Sequence, residues 1–173
     1  GWKVIQEAVG REDTVETVNS VIQSHYLANP KKVRALFLFG HVPVPYSGFI
    51  VPDGHNPDHL GAWPADVRYG NQGVWTDVRT KGISPKDSRN QNAFGDGKYD
   101  QSTFPGATVL EVGRVDLSNL PSSELTEVEL LRQYLDKDHA YRHGKEKFPA
   151  RGILYDGLGF FGGEMLAASG WRN

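Results

Sequence analysis

Residues 33–40 read VRALFLFG. Five consecutive apolar side chains, Ala35 to Phe39, are too few for a helix and show no alternation, and Gly40 ends them. Such a run suits a central parallel strand covered on both faces. Residues 107–115, ATVLEVGRV, read as a second strand, and residues 151–155, RGILY, as a third that ends at Asp156-Gly157. A short strand is also expected over Trp2, Val4 and Ile5.

Helical spacing fills the gaps between these runs. Asp13 reads as an N-cap with Glu16 as its capping-box partner, followed by Val15, Val18, Ile22 and Tyr26 on one face. Ser122 or Ser123 is expected to cap a second helix that carries Leu125, Val128, Leu131, Tyr134 and Leu135 to about His143, with Gly144 as its stop. Residues 163–169 begin another helical pattern. The alternation predicts an α/β sandwich with a mainly parallel sheet and helices on both faces. In such sheets ligands bind beyond the carboxyl ends of the strands, here Gly40-His41 and Asp156-Gly157.

Composition narrows the function classes. At 173 residues one domain with a real core is expected, and both ends read as those of a fragment. The formal net charge of -2, with 19 Lys and Arg scattered along the chain, leaves no basic stripe for nucleic acid. No run of about eighteen apolar residues spans a bilayer. The absence of cysteine removes disulfides, thiolate metal sites and thiol nucleophiles from these residues.

Residues 41–107 lack periodicity and are rich in Pro, Gly, Asn and Asp, as in an ordered functional loop held by something other than strand ladders. Within them, VPDGHNPDHLGAWPADVRYG (51–70) gathers Asp53, His55, Asp58, His59, Asp66 and Tyr69. The imidazoles and carboxylates could hold zinc with an open position for water, but Pro57 keeps His55 and His59 off one helical face. Loop-fixing hydrogen bonds are the plainer reading. Asp66, between Trp63-Pro64 and Tyr69, would serve a ligand or brace the loop. NAFGDGKYD (92–100) offers Asn92, Asp96 and Asp100 as calcium oxygens around Gly97, although Phe94 and Thr103 stand where an EF-hand needs ligands. An Asp-Gly turn accounts for the same residues. His41 sits where a catalytic histidine could, with Ser47 six residues on, but no G-x-S-x-G elbow is present.

The order ALFLFGHVPVP, WPADVRYG, GDGKYD, VLEVGRVDLSNLP and LLRQYLDKDHAYRH resembles the first part of the gingipain-like, caspase-like cysteine peptidase domain. The resemblance covers about residues 33–156 and rests on Ala65-Asp66 with Tyr69, Gly113-Arg114, and Lys137 with Tyr141. By its GHVPVPYSG segment the chain is most similar to secreted bacterial relatives outside the gingipains themselves. It departs from the family in having Gly40-His41 where a Gly-Asp turn is usual. The resemblance implies an incomplete three-layer caspase-like sandwich, secretion or cell-surface location, calcium-stabilised loops and a peptide or protein substrate. It also implies that the catalytic His and Cys lie farther along the polypeptide, leaving these residues as scaffold. Two alternatives stay open: a non-enzymatic surface or assembly module with a calcium-stabilised loop, and a metal-dependent hydrolase using His55 and His59.

Overall fold

A computed structural model of the protein describes residues 1–50, 59–79 and 85–151. The chain divides into two units, Gly1–Leu131 and Arg132–Asn173. In order the elements are α1 (Val15–Ala28), β1 (Ala35–Phe39), β2 (Tyr46–Ser47), β3 (Trp63–Pro64), α2 (Val67–Gly70), β4 (Glu111–Val115) and α3 (Glu127–Arg142), with a 3-10 turn at Ser88–Asn90 before β4. The result is a mixed α/β fold with a small, unclosed parallel sheet among the described residues.

The two apolar runs pair as expected. β1 and β4 are parallel and in register from Ala35 opposite Glu111 to Phe39 opposite Val115. The ladder continues one step further, where the Gly40 N–H donates to the Val115 carbonyl at 2.9 Å. Only the second half of 107–115 is strand, because the first half is engaged elsewhere: the Gln72 N–H donates to Ala107 and the Val109 N–H to Gly70.

Alternation across the sheet decides which side is core. Leu38 is buried with Val18 of α1, Val42 and Tyr69, and Leu36, Val112, Val15 and Ile22 pack around them. Burial of each such aliphatic side chain stabilises the fold by roughly 1.5–3 kcal/mol. The opposite face presents Phe37 and Phe39, 55% and 38% exposed, with ring centroids 5.8 Å apart. Cover on both faces, inferred from the unbroken apolar run, is thus seen on one face among the described residues.

Other expectations need correction. Trp2, Val4 and Ile5 are exposed and form no strand, since no neighbouring strand takes their backbone groups among the described residues. Thr14, not Asp13, caps α1, its hydroxyl accepting from the Thr17 N–H at 3.1 Å, while Asp13 accepts from the Gly10 N–H. Glu16 is drawn away from the expected capping box by the Tyr99 hydroxyl. α3 starts later than Ser122 or Ser123, behind a Thr126/Glu129 box: the Thr126 N–H donates to Glu129 Oε2 at 2.8 Å, and the Glu129 N–H reaches back to Thr126 Oγ1 at 3.4 Å. Its stop at Gly144, with φ +67°, is as read. None of the described residues of α3 is buried. Residues 152–155 of the third strand and all of 163–169 lie outside the described residues.

The described residues of the 41–107 region are braced by buried polar side chains, as a loop held by something other than strand ladders would be. Asn71, Asn90, Asn92 and Asp100 are buried, and the side chains of Asn71, Asn92 and Asp100 bond backbone or neighbouring polar groups. Asn92 Nδ2 donates to the Gly48 and Tyr99 carbonyls, both at 2.8 Å, and Asn71 Nδ2 donates to the Gly106 carbonyl at 2.7 Å. Gly61, at φ +96°, presses against the Asn90 carbonyl so closely that a Cβ would lie 1.9 Å from it.

Candidate functional site

The chemistry gathers where the two parallel strands end. His41 follows β1 and Gly40; Asp116 follows β4 directly. Because the strands are parallel and in register, both residues emerge on the same rim, and His41 Nδ1 meets Asp116 Oδ2 at 2.8 Å. The Ser118 hydroxyl lies 2.9 Å from the same nitrogen, and the Ser118 N–H donates to Asp116 Oδ1 at 2.9 Å. Burial alone would raise the Asp116 carboxyl, but the Ser118 N–H and hydroxyl and the His41 ring outweigh it and hold it below the usual carboxylate range.

This geometry sets what the rim can do. With Asp116 on Nδ1, His41 is oriented and its Nε2 faces away from the carboxylate, an arrangement suited to taking or giving a proton. Ser118 shares the Nδ1 side, so it orients the ring and is not the nucleophile that Nε2 would activate. Ser47 is not one either, because its hydroxyl donates to the Gln101 carbonyl at 2.6 Å. The sequence pairing of His41 with Ser47 is therefore replaced by His41 with Asp116. Near the rim, a Cβ added at Gly40 would come within 3.7 Å of Glu127 Oε1, and Glu127 forms an ion pair with Arg11.

A second cluster braces the loop that leaves β1. Arg114 Nε and Nη2 donate to Asp66 Oδ2 and Oδ1 at 2.7 and 2.8 Å, and Nη2 also reaches the Pro43 carbonyl at 3.1 Å. The Tyr69 hydroxyl donates to the same carbonyl at 2.7 Å. Burial pushes the Tyr69 hydroxyl far above its ordinary range, so it stays a donor at any physiological pH. Asp66 and Tyr69 from one motif and Arg114 from another thus converge on Val42-Pro43 (Arg114 Nη1 also donates to Val42).

The other expected positions are dispersed. His59 stands edge-on to Trp63, with centroids 5.6 Å apart, and lines a cleft of about 350 Å³ with Ile50, Trp63, Val67, Trp75 and Phe104. None of the cleft's described lining residues is Asp, Glu, Lys or Arg. Asp53, His55, Asp58 and Asp156 lie outside the described residues. Asp96 closes a turn, accepting from the Ala93 and Lys98 N–H groups at 3.0 and 2.9 Å, as the Asp-Gly reading has it. Asp100 Oδ2 accepts from the Thr76 hydroxyl and the Val78 N–H, while its Oδ1 lies 3.8 Å from Arg79 Nε. Asn92 Oδ1 and Asp100 Oδ1 are buried without hydrogen-bond partners. Among the described residues no three His, Cys, Asp or Glu side chains group as metal ligands, and no helix is long and apolar enough to cross a membrane.

Asp116 and Ser118 were missed by the sequence reading. The signal was present: Asp116 is the first residue after an apolar strand, the position that drew attention to His41.

Fold and rim together define a mixed α/β protein with an Asp-oriented histidine at the exit of a parallel strand pair. No protein-family model, no curated protein and no solved structure matches the chain.

Proposed function

We propose that these residues are the scaffold part of a gingipain-like, caspase-like α/β domain of a secreted bacterial protein. In this reading the His41–Asp116 rim borders the place where the full polypeptide handles a peptide. The observation that carries it is the emergence of His41 and Asp116 side by side from parallel β1 and β4, where α/β sheets bind ligands. The thiol of a cysteine peptidase is not among these residues, which contain no cysteine, so another part of the polypeptide supplies it together with its histidine. A three-layer sandwich belongs to the same reading: the exposed Phe37 and Phe39 face is where the further layer would pack. The test is to express the whole reading frame and treat it with a peptidyl acyloxymethyl ketone and a mixed peptide library. Labelling of a cysteine with peptide cleavage supports the proposal; a full-length protein that neither reacts nor cleaves overturns it.

Calcium is part of this proposal. The buried Asn92 Oδ1 and Asp100 Oδ1, lacking hydrogen-bond partners, are oxygens of the type a hard cation takes, although Arg79 beside Asp100 opposes one. Thermal melts in millimolar calcium and in chelator are expected to differ, with the higher midpoint in calcium. Equal midpoints remove calcium from the proposal.

The aromatic cleft, with no Asp, Glu, Lys or Arg among its described lining residues, favours a second reading, a binding module without catalysis. Its polar lining groups are largely engaged internally: Ser102 Oγ accepts from the Phe49 and Ile50 N–H groups, and Gln101 bonds Thr76 twice. An apolar ring of a peptide side chain fits such a cleft better than a charged group. Phe-bearing peptides should bind the wild type uncleaved and lose affinity to Trp63→Ala; binding indifferent to Trp63 rejects this reading. The zinc-hydrolase alternative keeps only His59 of its two histidines among the described residues.

A further inference from the structure

The geometry points to a two-imidazole chelate for a late divalent transition metal at the end of α3, formed by His139 and His143. The proposal is independent of the peptide reading and concerns the second unit alone. The helical turn continues past Arg142, since the His143 N–H donates to the His139 carbonyl at 3.1 Å. Residues four apart on a helix lie one above the other. The two rings are stacked accordingly, with centroids 3.9 Å apart and planes inclined by 29°.

The protonation pattern is set for ligation. His143 Nδ1 lies 2.8 Å from the His139 carbonyl oxygen. A carbonyl only accepts, so Nδ1 carries the proton and the lone pair of the neutral ring resides on Nε2. Metal-binding histidines are commonly oriented by this kind of bond, with the other ring N–H given to a backbone carbonyl. His139 makes no hydrogen bond through its ring nitrogens among the described residues, and both side chains are exposed. Arg142, the nearest cation in sequence, is turned to Asp138 at 2.7 Å.

Metal–imidazole bonds are about 2.0–2.1 Å long, so two nitrogens on one ion stand roughly 3 Å apart. An imidazole lone pair lies in its ring plane, so ligation opens the stacked pair by side-chain rotation until the two planes meet at the ion, a movement these exposed side chains are free to make. Imidazole nitrogens select copper, nickel and zinc over calcium or magnesium, and Cu²⁺ is held tightest. Two ligands leave the remaining coordination positions to water. The site is therefore an open one that also staples the last turn of α3.

Titration of the 173-residue chain with Cu²⁺, followed by calorimetry and electron paramagnetic resonance, tests it. The expected result is one tight equivalent whose spectrum carries coupling to two imidazole nitrogens. His139→Ala and His143→Ala should each weaken that equivalent by about tenfold or more, because the second ligand is already in place when the first binds. Zn²⁺ should raise the melting midpoint of the wild type and leave that of the double variant unchanged. Absence of a tight equivalent, or a double variant that binds Cu²⁺ as the wild type does, overturns the assignment.

Discussion

Arg114 grips Asp66 through both carboxylate oxygens, at 2.7 and 2.8 Å, across 48 positions of sequence. Both side chains are largely withdrawn from water, and burial, which would lower the Arg114 pKa, is outweighed by the Asp66 carboxylate. The guanidinium also binds the two carbonyls that start the loop after β1. Removing Arg114 strands the Asp66 carboxylate and takes a donor from both carbonyls, and neutralising Asp66 leaves the guanidinium charge withdrawn from water without its counterion. Arg114→Ala and Asp66→Asn are each expected to destabilise the fold by about 2–4 kcal/mol in urea unfolding. Arg114→Lys should recover little, because an ammonium cannot reproduce the planar fork. Full recovery by Lys would show that charge alone matters here.

Acid should expose the His41–Asp116 contact. The Asp116 carboxyl titrates lower in the folded than in the unfolded protein, so its stabilisation is complete above the unfolded value near 4 and drains away as pH falls through the folded value. Asp116→Asn is expected to cost about 1 kcal/mol at neutral pH and to flatten the stability profile below pH 4. Denaturant midpoints measured from pH 2 to 7 in both proteins decide it.

At the alkaline end stability depends on Tyr69, whose hydroxyl burial raises, and on Tyr99. Burial, followed by its hydrogen bond to Glu16, pushes the Tyr99 hydroxyl up to about 12 from 10.0. A raised folded value stabilises the protein below pH 10 and is lost as pH climbs toward 12, where the unfolded chain has already ionised. Tyr99→Phe should therefore unfold with a shallower dependence on pH over that window. An unchanged slope would assign the alkaline loss to other groups.

Gly61→Ala places a methyl group against the Asn90 carbonyl, which is itself held by the Ala62 N–H at 2.8 Å. Neither piece of backbone can yield cheaply, and the positive φ adds strain. A loss of about 3 kcal/mol or more is expected, against about 1 kcal/mol for Gly95→Ala, where φ is +77° but the space is open. Melting midpoints of the two variants provide the comparison.

The legible part of the fold was the part written in local pattern. ALFLF carries an unbroken apolar run, ATVLEVGRV a largely apolar one, and Val15, Val18 and Ile22 carry helical spacing, so β1, β4 and α1 follow from them. The caps were less legible, because a carboxylate such as Glu16 can satisfy a local N–H or a distant hydroxyl with equal chemistry, and Tyr99 won it from 83 positions away. Trp2 to Ile5 misled because β-propensity describes a willing strand without supplying its neighbour. At the rim, His41 was legible as a strand exit. Its partner Asp116 is 75 positions distant and joins it only through the parallel register, which no local window contains.

Residues 41–50, 59–79 and 85–107 have the composition of a connection but the interior of a core, with Asn71 and Asn92 each binding backbone from two sides. Ladders share their load among many equivalent bonds, whereas here each amide has a single unreplaced task. An affinity tag or reporter grafted beside either asparagine would therefore meet the intolerance of an interior position, despite a local sequence that looks permissive to engineering.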